Sequence, residues 1–496
     1  MLFSMFVSLY TSRLVLNALG VVDYGIYGVV GGFVTMFSII SSSLSSAVSR
    51  FMTFAIGRND KTMLNNVFSM SLLIHVILAL LVIMLAETIG LWFVNNRMTI
   101  PVERISAANW AYQASILSFV FSLFMIPYNA MIISHEDMKV FAYIGILDSI
   151  LRLFVVIFVA YCQWNYDKLI VYSILLVFVT LILQSIYFVY CKKKYEECHL
   201  KIQINITTLK DMGAFAGWNF IGCSAQLLKD QGVNVLLNLF GGPVLNAARG
   251  IATSVNSAVS SFTSGFMTAI NPQITKSYAS SDYRYLFSLL EKGARFSYYI
   301  LMILALPIIL ETDFVLTLWL KTYPPHSVSF VRLVLILSLS DVISRPLITA
   351  QLATGRIRNY QIVVGGVLLL NFPLSYIFLK CRFSPESIYM IAIAISFICL
   401  AIRLCFLRNM INLSIKRYFF RVICNVLLVT LASTLLPYIL HVSMTSGLIR
   451  FSVVGIISVL CSLCSIYFVG CNRTEREEII YKLLSVLKSR YDKTNE

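Results

Sequence analysis

Six basic residues sit inside otherwise apolar stretches of this chain: Arg13, Arg152, Lys229, Arg249, Arg332 and Arg345. A charge held at mid-bilayer costs roughly 2.5–3.5 kcal/mol on insertion scales, so such side chains face protein or a water-filled cavity and mark where work is done. Two of them follow an acid by four residues, Asp148 before Arg152 and Asp341 before Arg345. That spacing puts both groups on one helical face, where they can neutralise each other or take up a coupling ion, H+ or Na+. Arg13, Lys229 and Arg249 have no acid on their own face; Lys229 adjoins Asp230, but neighbours along a helix point apart. Unpaired cations of this kind fit an anion that arrives, and the planar guanidinium fork grips phosphate oxygens two at a time.

Polar stripes run beside these charges. Thr35, Ser38, Ser42, Ser45 and Ser49 lie on one helical face, and Asn246, Arg249, Thr253, Asn256, Ser260 and Ser264 on another. Their hydroxyls and amides can contact sugars; the alternative is close helix packing through small residues. Pro127, Pro307, Pro346, Pro373 and Pro437 interrupt apolar runs, and Pro346, next to Arg345, is the best placed for a moving element. No nucleophile elbow, phosphate-binding glycine loop or paired zinc-binding histidines occur, so a transporter is expected, without a cofactor and not an enzyme. Cys461 and Cys464 form a CxxC inside an apolar run, which reads as packing before redox or metal chemistry.

The elements that hold these residues follow from composition. The 496 residues are 58% hydrophobic and 12% charged, which excludes a soluble globular protein and a disordered one. Windows of about 20 apolar residues give fourteen spans, near 1–19, 26–48, 67–91, 110–133, 139–161, 169–190, 214–240, 244–270, 295–318, 328–353, 361–379, 387–407, 421–440 and 448–470. Only helices satisfy their own backbone in lipid, so the expected class is all-α and polytopic. With the N-terminus inside, twenty-six Lys and Arg fall on the cytoplasmic side and seven on the other. That asymmetry accounts for the net charge of +16 without nucleic acid and puts both termini in the cytoplasm. No cleavable signal peptide is visible, and the first run, Met1 to Leu19, at about 28 Å barely spans.

The expected organisation is a six-helix lobe over 1–191, a cytoplasmic loop over 192–212, a second six-helix lobe over 213–410, two further helices over 411–470, and an amphipathic tail over 471–496 bearing Ile480, Leu483, Leu484 and Leu487. A repeat supports the two lobes. Leu14-Val-Leu-Asn-Ala-Leu-Gly20 matches Val235-Leu-Leu-Asn-Leu-Phe-Gly241, with Asn17 on Asn238. Both segments start on the same side, so the repeat is parallel, a pseudo-twofold about the membrane normal.

The opening Ser12-Arg13-Leu-Val-Leu-Asn17-Ala-Leu-Gly20 leading to Asp23-Tyr24-Gly25-Ile-Tyr27 resembles the start of bacterial Wzx-type oligosaccharide flippases, within the multidrug/oligosaccharidyl-lipid/polysaccharide exporter superfamily. The Ser-rich second helix ending in Arg50-Phe51 is similar, as is Ser344-Arg345-Pro346-Leu347 leading to Ala353-Thr354-Gly355 and Tyr360. The resemblance implies two lobes around a cavity open alternately to each side of a bacterial inner membrane. It implies movement of undecaprenyl-pyrophosphate-linked oligosaccharide to the periplasmic leaflet, as in O-antigen and lipopolysaccharide assembly, beside glycosyltransferases and a polysaccharide polymerase. It places Arg13, Arg50 and Arg249 at the pyrophosphate, and gives the last two helices a lipid-tail groove. Residue chemistry adds Lys229 and Arg345 to that cationic set and Asn17, Asn238 and Asn256 as sugar contacts, with Asp148 and Asp341 as coupling candidates. A cation-coupled multidrug exporter of the same fold is the rival reading; it calls for acidic residues in the cavity.

Overall fold

The computed structural model describes residues 37–96, 100–161, 167–198 and 206–477, a dozen isolated positions before residue 37, and no side chains at 38–40, 238 and 243. Arg13, Asn17, the side chain of Asn238, and the tail leucines fall outside the described residues.

The described chain is helical throughout, as the apolar runs require. We label the long segments α1 (Ser38–Gly57), α2 (Lys61–Asn96), α3 (Val102–Ser134), α4 (Met138–Tyr161), α5 (Lys168–Lys194), α6 (206–241), α7 (243–279), α8 (Tyr283–Leu310), α9 (Ser327–Thr354), α10 (Arg358–Lys380), α11 (Ser387–Ile411), α12 (Ile415–Ser443) and α13 (Leu448–Gly470). Ten of these are long and apolar enough to cross a membrane; α1, α6 and α7 are the polar exceptions. These thirteen segments correspond to the second to fourteenth expected spans; most of the first apolar run lies outside the described residues.

Local chemistry sets the ends and breaks. The Asp60 side chain accepts from Met63 N at 2.8 Å and starts α2; Asp167 accepts from Leu169 N at 2.9 Å and starts α5. The stretch from Ile206 to Ala279 is helical on both sides of a kink and, at 74 residues, far longer than one bilayer crossing. Gly242, at φ 66° and ψ −166°, divides it into α6 and α7. That conformation is essentially closed to a residue with a Cβ. Gly20 is also left-handed, at φ 81°. The two glycines lie at the ends of the repeated Leu/Asn segments, one residue out of register with the alignment.

The span expected over 295–318 divides differently. α8 begins at Tyr283 and ends at Leu310, and a short helix, Thr312–Leu320, follows a turn at Glu311. An apolar window cannot locate the charged end of a helix, and Glu291, Lys292 and Arg295 all lie within α8. The span over 328–353 is broken at Ile343 and Ser344, ahead of Pro346, whose ring has no N–H to continue the ladder. The buried Tyr418 hydroxyl donates to the Ile343 carbonyl at 3.1 Å and supports the break.

By internal packing the chain forms two compact units: 1–226 with 268–283 and 352–365, and 227–267 with 284–351 and 366–496. Their boundaries fall inside α6, α7, α9 and α10. In the first unit, Met52, Phe68, Tyr128, Met131 and Phe215 form one apolar core, and Val82, Ala108, Tyr112 and Leu123 another. Gly57 lies so close to α7 that a Cβ there would meet Lys276 Cα at 2.8 Å. Arg104 ties Asp23 to Asp167 through both ends of its guanidinium.

The second unit is stitched by charges that lie far apart in sequence. Arg295 and Glu475, both almost fully buried, pair at 2.6 Å, and Arg295 also donates to the Gly470 carbonyl at 2.7 Å. Glu291 takes Arg417 at 2.6 Å and Arg421 at 3.2 Å. Glu311, 1% exposed, takes His441 at 2.7 Å and Arg450 at 2.9 Å. All three sets join α8 or its end to α12, α13 and the segment that follows. These contacts attach the last two helices at both ends of α8, while Leu427, Leu431, Leu435 and Ile439 of α12 stay exposed and apolar, the pattern of a face meant for lipid.

Candidate functional site

The second unit carries a polar seam where an apolar core would be expected. It is built by α7, α9 and α11, with the end of α6. On α7, Asn256 and Ser264 are eight residues apart, about two helical turns. On α9, Ser338 and Arg345 have nearly the same separation. The two pairs make two rungs: Ser338 donates to Asn256 Oδ1 at 2.6 Å, and Arg345 donates to Ser264 Oγ at 3.0 Å. Ser260 donates to the same Asn256 oxygen at 3.3 Å. On the other side of α9, Ser396 of α11 donates to the Asp341 carboxylate, and Ser340 donates to Ser396 at 3.1 Å. Further along, Gln351 donates to the Arg403 carbonyl at 3.0 Å. Every rung links residues 52 to 82 positions apart.

Two buried cations in this seam have no carboxylate partner among the described residues. Lys229, 6% exposed, makes no hydrogen bond or ion pair among the described residues. It lies within electrostatic reach of Cys399, as do Arg403 and Asp341. Arg249, 8% exposed, donates at 3.0 Å to a backbone carbonyl, that of Asp230, and to no carboxylate among the described residues. It lies near Tyr389, whose buried hydroxyl has no hydrogen-bond partner among the described residues. Arg345 and Asp341 are within electrostatic reach but do not pair. Among the described residues, neither Lys229 nor Arg249 thus has a carboxylate partner. An uncompensated cation in low dielectric is costly, so this arrangement is suited to holding an anion.

The other expected residues are placed differently. Arg50, at the end of α1, donates to the Ala353 carbonyl at 3.0 Å and lies 4.5 Å from the Phe51 ring, 5.0 Å from Phe54 and 5.5 Å from Phe215. Its guanidinium is packed against the chain, 2.7 Å from where a Cβ on Gly355 would sit. Asp148 and Arg152 of α4 form an ion pair at 2.7 Å with both side chains partly exposed. In the first Ser stripe, packing draws on Ser43, which lies off the stripe: it donates to the Ala216 carbonyl at 2.7 Å. Sequence reading missed Ser338, Tyr389, Ser396 and Arg403. Ser338 carried a usable signal, since Ser338, Asp341 and Arg345 recur at helical spacing within an apolar run; Ser396 and Tyr389 are isolated and carried none.

Among the described residues no group of three or more His, Cys, Asp or Glu could hold a metal ion.

No family model matches this chain, and no curated protein does. Solved structures do. A MATE point mutant superposes with a TM-score of 0.72 at 15% identity, covering 83% of this chain and 95% of its own. An outward-facing multidrug resistance MATE family transporter of the MOP superfamily gives 0.72 at 15%, covering 83% and 94%. A MOP superfamily transporter from Pyrococcus furiosus, described for the reversed polarity of its binding pocket, gives 0.70 at 13%, covering 83% and 93%.

The chain has the MATE fold. The MATE structures are covered over nearly their whole length, and about one sixth of this chain is unmatched. The polar seam of α7, α9 and α11 is therefore set within a fold that other chains use for membrane transport.

Proposed function

We propose that this protein is a membrane transporter whose cargo carries a phosphate-bearing anionic head. The observation that carries the reading is that buried Lys229 and Arg249 have no carboxylate partner among the described residues, with Arg249 near the Tyr389 hydroxyl. A diphosphate supplies several acceptor oxygens and a compensating charge together, which neither water nor a neutral drug does. Asn256, Ser260 and Ser264 supply amide and hydroxyl groups along the same helix for sugars. The specific cargo we assign is an undecaprenyl-pyrophosphate-linked oligosaccharide, moved between leaflets of a bacterial inner membrane by alternating access. Its polyprenyl tail stays in lipid while its hydrated head crosses. The extra α12–α13 pair, with its exposed leucine face, suits such a tail.

A second reading is favoured by the structural neighbours, which include a multidrug resistance transporter. In it, Asp341, held by Ser396 and free of any ion pair among the described residues, binds protons or a cationic drug.

A deletion strain complemented with wild type, Arg249→Ala or Asp341→Asn separates the two. Loss of surface glycan with R249A, and unchanged drug tolerance in both variants, supports the flippase. Loss of drug tolerance with D341N and intact glycan supports the exporter and rejects the flippase.

A further inference from the structure

We propose that the end of α5 holds one anionic phospholipid, its acyl chain against the helix and its phosphate on Lys193. A groove of about 620 Å³ runs along α5, lined by Ser185, Ile186, Val189, Tyr190, Lys193 and Lys194. These residues fall at i, i+1, i+4, i+5, i+8 and i+9, one continuous face of the helix. The volume is within the range of small-molecule sites. Its wall is apolar at Ile186 and Val189 and cationic at one end only.

That end lies at head-group level. α5 has 27 residues, about 40 Å of helix, against a hydrocarbon core of about 30 Å, so its last turn emerges from the acyl region. The last turn is Lys192, Lys193 and Lys194. The three lysines are not equivalent. Lys194 is held by Asp137 at 2.5 Å and by the Tyr190 hydroxyl at 2.8 Å, which fixes the rim of the groove. Lys192 lies over the Phe188 ring at 5.5 Å. Lys193 makes no hydrogen bond or ion pair among the described residues, yet lines the groove. Of the acids nearby, Asp137 is engaged by Lys194 and Glu196 by Lys61 at 3.8 Å, and Glu197, four residues on, makes no ion pair with Lys193.

An apolar face ending in an unpaired ammonium matches a single amphiphile with a phosphate, and an anionic leaflet, which attracts basic residues near its surface, supplies it. This site is separate from the polar seam of the second unit and does not depend on what the transporter carries.

The test uses the full chain, extracted into mild detergent from vesicles of phosphatidylcholine and phosphatidylglycerol at 3:1, with retained lipids counted by native mass spectrometry. Wild type and Lys193→Arg are expected to retain one phosphatidylglycerol that Lys193→Ala and Val189→Trp lose, with phosphatidylcholine unchanged. The behaviour of K193R guards against misfolding as the cause. Equal retention in wild type and K193A overturns the proposal. So does equal retention of both lipids at the site, or displacement of the bound lipid by millimolar inorganic phosphate, which would mean a free-anion site.

Discussion

Asp341 and Arg345, four residues apart on α9, do not pair: Asp341 accepts from Ser396 of α11, and Arg345 donates to Ser264 of α7. A turn at Ile343–Ser344 separates the two groups. Each charge is bound by a different neighbour, and the seam keeps a cation that an i,i+4 ion pair would have neutralised. Pro346→Ala restores the missing N–H and lets the helix run on. We expect an Asp341–Arg345 ion pair in the variant, transport several-fold below wild type, and thermal stability equal or higher. Wild-type transport by P346A rejects a role for the break.

Gly242→Ala places a Cβ where φ is 66° and ψ is −166°. Strain of this kind costs on the order of 1–3 kcal/mol, so the melting temperature should drop. Gly250→Ala is the control: it lies within α7 with open space around its Cβ position, and alanine is the better helix former by about 1 kcal/mol. A thermal-shift assay in which both variants behave alike contradicts the assignment of Gly242 as the hinge point between α6 and α7.

Much of this architecture is visible in the sequence and some of it is not. The apolar windows place ten of the described spans because hydropathy over 20 residues is a local property. The α9 break is announced by Pro346, and the stop at Gly242 by the end of the Leu/Asn repeat. The buried pairs are silent: Arg295 and Glu475 are separated by 180 positions, and no local spacing relates them. Arg295 reads as one more cytoplasmic charge, yet it is 4% exposed. The same limit explains the seam. Lys229 and Arg249 stand out as charges in apolar runs, whereas Ser396 and Tyr389 acquire meaning only once α11 lies beside α9.

Glu475→Ala leaves Arg295 buried without its carboxylate. Breaking a buried pair from one side costs about 3–5 kcal/mol, whereas replacing both partners by apolar residues is often neutral. The single variant should melt markedly lower, and Arg295→Met combined with Glu475→Leu should recover most of the loss. A double variant as unstable as the single one means that the pair does not act alone in docking the segment after α13.

Asp137 lies in the turn between α3 and α4. The Lys194 ammonium, and then the Tyr190 hydroxyl, hold its carboxyl below the usual carboxylate range despite partial burial. A lowered native value means that the contribution is complete above the unfolded value, near 4, and fades as pH falls through the lowered one. Hydrogen exchange across 135–138 should therefore be constant from pH 7 to pH 5 after correction for intrinsic rates, and rise below about pH 4. Asp137→Asn should remove the acid dependence and exchange faster throughout. An unchanged profile in D137N contradicts the assignment.

The central claim is that the unpaired cations of the second unit receive a diphosphate. It is tested most directly by equilibrium binding of undecaprenyl pyrophosphate and undecaprenol to the purified full-length protein, wild type against Lys229→Met and Arg249→Ala. The account predicts that wild type prefers the pyrophosphate by tenfold or more, and that each variant loses most of that preference while binding the alcohol as before. Equal affinity for the two lipids in wild type, or a preference untouched by both substitutions, contradicts it.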